Sequence, residues 1–150
     1  MTKERKFSEI VDEAVDLSEK GFIARAVEKL GEALVLGKVL WGEDDKVAEV
    51  YMKLGTLLAF LDNPDFNSDH FEDAFKILLK IRQPEDVVNL CEEKGIFFRD
   101  KSLLKAANFF FSKQAEIKPT DAQTWFNQTL FYWCFLPAKL TLIIQGIVKD

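Results

Sequence analysis

The side chains that could do chemistry are few. His70 is the sole histidine, and Cys91 and Cys134 are the only cysteines. One histidine cannot form a multi-histidine metal site, and two isolated cysteines have neither zinc-ligand nor disulfide-framework spacing. The acidic run from Asp62 to Asp73 has the carboxylate density of a calcium loop. It fails the pattern, because Pro64 stands at the third position and Asn67 where the sharp turn needs glycine. No glycine-rich phosphate loop occurs. The sequence therefore predicts no enzyme, with no catalytic, cofactor or metal residue. His70 is expected on the surface at a helix start, and recognition falls to surfaces that helices hold in place.

Composition narrows the class. At 150 residues the chain is long enough to bury a core, and it is expected to be a single domain over 1–150. A net charge of −5 argues against a nucleic-acid partner. The 14 phenylalanines suit helix-on-helix packing. The charged start, Met1 to Lys6, has no apolar stretch behind it, so no secretory leader is expected. Reduced cysteines fit a cytoplasmic location, or a nuclear one. From Ala122 to Ala138 no residue is charged, and Leu140 to Val148 is largely apolar. Pro137 and Lys139 interrupt what a spanning helix would need, which favours a packed hairpin over a membrane anchor.

The apolar pattern resolves into helical hairpins. The first covers 7–40, with Ile10, Ala14 and Leu17 on one face, Gly21 at the turn, and a second helix from Ala24 to Leu36. Residues 41–47 extend this unit. The second covers 48–87: a helix from Ala48 to Leu61, a loop insertion of about seven residues from Asp62 to Ser68, and a helix from Asp69 to Ile81 capped by Asp69. Gln83 to Asp86 forms a joint. The third covers 88–121, with Gly95 and Phe98 on one helix and Ala107 and Phe111 on the other. The fourth covers 122–148, opened by Asp121 after Pro119 and carrying Trp125 and Tyr132.

Small residues at 14, 26 and 33, the turn glycine, and a proline followed by an aromatic-bearing helix resemble tetratricopeptide (TPR) repeats, helix–turn–helix units of about 34 residues. Thr141, Gln145 and Gln114 depart from that pattern. The resemblance implies an all-α fold, a right-handed α-solenoid of about four hairpins and eight helices. The long first unit, with its Gly42-Glu43-Asp44 turn, is similar to kinesin-light-chain-like repeats. Residues 21–61 also resemble histone chaperones of the NASP type, which interrupt their second repeat at the same place. A NASP-like histone chaperone and a membrane-anchored TPR protein are the alternative functions to an adaptor.

In the family, first helices line a concave groove that receives a peptide or helix. The resemblance carries that role to Val11 and Val15 in the first repeat, and to Glu49, Met52, Lys53 and Phe60 in the second. In the third it falls on Glu92, Glu93, Ile96 and Arg99, and in the fourth on Phe126, Asn127, Leu130 and Trp133. The expected function is an adaptor or scaffold that binds a protein or peptide ligand. TPR domains that hold the acidic tails of heat-shock chaperones need lysine, asparagine and arginine donors for two carboxylates. Here those places hold Val11, Val15, Lys53, Asn89 and Glu93, so such tails are not expected ligands. The apolar run with Leu140, Ile143, Ile144 and Ile147 points to a homodimer through the C-terminal helix.

Overall fold

The computed structural model describes residues 2–62 and 65–119. They form six α-helices and, among the described residues, no strand: α1 (Lys3–Glu19), α2 (Ile23–Trp41), α3 (Asp45–Leu61), α4 (Asp69–Ile81), α5 (Pro84–Asp100) and α6 (Leu104–Ile117). The chain divides after Val87 into two units, each with its own interior. The expected fourth hairpin, with Phe126, Asn127, Leu130 and Trp133, lies outside the described residues, as do the stretches proposed for anchoring and dimerisation.

In the first unit, Thr2 caps α1 by accepting a hydrogen bond from the Arg5 amide at 3.2 Å. The helix ends where Gly21 takes a φ of 88°, a left-handed conformation that costs glycine little. The Gly21 and Phe22 amides donate back to the carbonyls of Ser18 and Leu17. α2 runs to Trp41, beyond the Leu36 expected from sequence. The reason lies in packing. Gly37 is buried against the Phe7 ring, and Trp41 meets the same ring edge-on at 4.9 Å, so the last turn and a half still has a partner in α1. Gly42, at a φ of 64°, then ends the helix. α3 starts at Asp45, earlier than the expected Ala48, because Asp44 accepts from the Lys46 amide and Asp45 places a negative charge in the first turn.

α1, α2 and α3 share one core, built from Phe7, Ala14, Leu30, Ala33, Val50 and Leu54. α4 packs on α3. Asp69 is the first residue of α4, not its cap: Ser68 holds the cap position without a side-chain bond, and Asn67 Oδ1 accepts from the Asp69 amide at 2.7 Å. The far end of α4 is tied to the start of α3. Arg82 donates to both carboxylate oxygens of Asp45 at 2.8 and 2.9 Å, and Lys80 Nζ donates to Glu43 at 2.8 Å. Both pairs are partly solvent-exposed, so each contributes about 0–1 kcal/mol and serves mainly to fix orientation.

Pro84, just before the division between the units, opens α5 at the first helical position, where a missing amide proton costs nothing, and the helix continues into the second unit. The joint expected at Gln83 to Asp86 is therefore already helical from its second residue. α5 and α6 meet through the stacked rings of Phe98 and Phe110, 5.6 Å apart at 14°.

Two comparisons tie the hairpins to one another. First, the boundaries of α1 and the start of α2 recur at a constant step in α5 and α6: Lys3 with Pro84, Glu19 with Asp100, Ile23 with Leu104. The turn bonds recur at that step, with Ser102 and Leu103 donating to Arg99 and Phe98 as Gly21 and Phe22 donate to Ser18 and Leu17. Second, a Cβ on Gly55 would lie 2.6 Å from Cε1 of Phe71, and one on Gly95 would lie 2.6 Å from Cε1 of Phe111. Each pair is separated equally along the chain, 55 to 71 and 95 to 111.

These close approaches set an expectation for stability. Alanine in place of a mid-helix glycine gains up to about 1 kcal/mol of propensity, while overpacking a core costs about 1–3 kcal/mol. Gly31 has open space around it, so Gly31→Ala stabilises by about 0.5–1 kcal/mol. Gly55→Leu and Gly95→Leu both destabilise by about 3 kcal/mol or more, since Phe71 and Phe111 are wholly buried and have nowhere to retreat. Urea unfolding of the three variants checks the opposite signs.

Candidate partner-binding surface

The reactive groups of the described residues do not converge. His70 is the second residue of α4, with its ring centroid 6.1 Å from that of Tyr51 and its Nδ1 buried. Among the described residues no cluster of histidine, cysteine and carboxylates could hold a metal. Cys91 is fully buried in α5. Burial pushes its thiol up to about 12, with Lys113 pulling slightly the other way and Glu116 adding to the rise. Such a thiol carries negligible thiolate at neutral pH and is a poor nucleophile.

The surface residues anticipated from sequence fall on three helices. On α1, Val15 is 38% exposed, whereas Val11 is half-buried against the shared core. On α3, Glu49 and Lys53 are exposed and Phe60 is 43% exposed. Met52 departs from expectation. It is buried at 7% exposure, with its carbonyl accepting a bond from the Thr56 hydroxyl at 2.8 Å, so it belongs to the interior and not to an open groove. The reason is angular: Met52 falls one residue from Tyr51 and two from Leu54 and Val50, all buried, so α3 has a wide apolar arc. On α5, Glu93 is exposed, and Glu92, Ile96 and Arg99 are half-buried. Arg99 Nε lies 3.7 Å from Asp100.

The structure thus brings Val11, Val15, Glu49, Lys53 and Phe60 into one unit, on helices that both pack against α2. Glu92, Glu93, Ile96 and Arg99 sit on one helix of the other unit. Glu49 is not an isolated charge. Arg82 is held above its ordinary range chiefly by its hydrogen bonds to Asp45, with Glu49 and Asp86 adding attraction. Basic partners would therefore meet a Glu49 already partly balanced.

The sequence reading does not single out the exposed apolar residues around α2: Val35 and Val39, one turn apart on it, are 67% and 71% exposed, and Phe22, the residue before its first turn, is 50% exposed. Arg25 covers Phe22 at 5.4 Å, and Lys46 covers the nearby Trp41 at 4.3 Å. The spacing of Val35 and Val39, one helical turn apart, was the available signal. It was hidden by ending the helix at Leu36.

No protein-family model, curated protein or solved structure matches the chain. No helix among the described residues is long and apolar enough to cross a membrane.

The Cys91 thiol makes a prediction about alkaline pH. Its folded value is raised from the ordinary 9.0 to about 12, so the folded state holds its proton more tightly than the unfolded chain. Its contribution to stability is complete below pH 9 and is lost as pH rises from 9 towards 12. Wild type should therefore lose more stability than Cys91→Ala across that interval, with parallel profiles below it. Denaturant midpoints measured against pH test this.

Proposed function

We propose that the chain is a non-enzymatic adaptor of stacked TPR-like hairpins, a right-handed solenoid whose first helices receive a partner peptide or helix. The cytoplasm or the nucleus is its proposed setting. What supports the reading is the repetition: one hairpin plan, with the same first-helix bounds, second-helix start and turn bonds, occurs as α1/α2 and again as α5/α6. Repeated hairpins stabilise by stacking and leave an extended face for recognition. In the first unit Val15 and Phe60 supply apolar contact, with Lys53 as a flanking charge. Apolar anchors ringed by charge suit a partner helix or an extended segment with apolar side chains at regular spacing. The partner class is therefore a protein and not a small substrate.

The test is capture from a native extract by three proteins checked to fold alike: wild type, Val15→Glu with Phe60→Glu, and Val39→Glu as a control on α2. Anchors of this kind typically cost more than 1 kcal/mol when disrupted, so the double variant should capture at least about fivefold less. The control should capture as wild type does. Equal capture by all three would remove the groove assignment. Purified core histones belong in the same assay, and salt-sensitive capture of those alone would select the histone-chaperone alternative.

A further inference from the structure

We propose that α5/α6 is a hairpin built to open, a conformational device in which α6 detaches from α5 far more often than α2 detaches from α1. The two hairpins share one plan, so each serves as the reference for the other. They differ at two positions where the departure in α5/α6 is costly.

The first is the turn. Gly21 holds a φ of 88°, and its counterpart Ser102 holds a φ of 60°. Ser102 is the only positive-φ residue other than glycine among the described residues. A side chain there crowds the following carbonyl, a strain that glycine avoids. The second is the interior. Ala33 is fully buried in α2, and its counterpart in α6 is Gln114, also fully buried. Both Nε2 and Oε1 of Gln114 are buried without a hydrogen-bond partner among the described residues. Leaving a buried donor and acceptor unmade carries the full desolvation cost of each, which an opened helix recovers in water. Neither departure is offset by a local bond. Ser102 gains only the backbone turn bond that Gly21 already makes.

Opening would uncover a defined surface. Gly95 and Phe98 of α5 receive Phe111 and Phe110 of α6. Cys91 lies on the same side of α5, where Lys113 and Glu116 of α6 act on its thiol. Cys91 is therefore a reporter of detachment: inert while α6 is docked, reactive once it leaves.

The experiment uses the full chain with Cys134→Ser, so that Cys91 is the single thiol. Labelling by a small disulfide reagent at neutral pH is followed alongside amide hydrogen exchange of α2 and α6. The expected result is that α6 amides and the Cys91 thiol report one opening, at least about tenfold more populated than the opening of α2. Ser102→Gly and Gln114→Met should each slow Cys91 labelling by roughly tenfold and leave α2 exchange unchanged. Gln114→Met keeps the side chain's length while removing its polar atoms, and Gln114→Leu decides if methionine packs badly. Equal protection of α2 and α6 would overturn the proposal. So would labelling that both apolar variants leave unchanged or accelerate, because the Gln114 amide would then be bonded in the folded chain.

Discussion

The structure depends on phenylalanine rings set directly against glycine backbones. Among the described residues three such contacts occur: Phe7 on Gly37, Phe71 on Gly55, and Phe111 on Gly95. A ring laid on a helix without a side chain brings two helix axes closer than any larger residue permits. It also buries most of the ring's apolar area in one contact. Phe71 and Phe111 are wholly buried as a result, and Phe7 nearly so. Glycine inside a helix costs about 1 kcal/mol relative to alanine, and the burial of a phenylalanine, worth about 1.5–3 kcal/mol, outweighs it. The arrangement changes direction along the chain. In the first hairpin the glycine is on the second helix, whereas in the other two it is on the first. The common element is thus the contact and not its place in the repeat.

Around those contacts the hairpins diverge by how they are finished. α3 and α4 are joined by a longer connection, and the Arg82–Asp45 and Lys80–Glu43 pairs tie α4 back to the turn before α3. α1 and α2 close with a tight glycine turn and an alanine interior. α5 and α6 repeat that closure with Ser102 and Gln114 in the glycine and alanine places. Steady packing therefore coexists with local differences in the free energy of opening, and such differences decide which parts of a fold move first.

Much of this was legible in the residues. Gly55 and Gly95 stand where an apolar helical pattern calls for a side chain, and a small residue there signals close approach. Gln114 stood out because it occupies a place where Ala33 had set the expectation. The errors have physical causes. α2 outlasted its expected end because its last contact, Phe7 with Trp41, joins residues far apart in sequence. Met52 was assigned to a surface because position within a repeat fixes its angle but not how wide a buried arc its helix carries. Asp69 looked like a cap because aspartate serves well there, yet Asn67 took the amide instead. Val39 escapes notice as surface because the sequence reading ends α2 at Leu36, short of the turn that carries it. Side-chain type announced the close contacts, while boundaries and exposure were decided by neighbours from other helices.

The central claim is that the ring-on-glycine contact, and not the general apolar character of the helices, holds each hairpin together. A double-mutant cycle at Gly55 and Phe71 tests it most directly, using Gly55→Ala, Phe71→Leu and the pair, with unfolding free energies from urea titration. If the contact governs, an added Cβ is harmful only while the ring is present. The two changes should then be non-additive by about 1 kcal/mol or more, with Gly55→Ala neutral or stabilising in the Phe71→Leu background. Strict additivity, with Gly55→Ala equally costly in both backgrounds, would contradict the account.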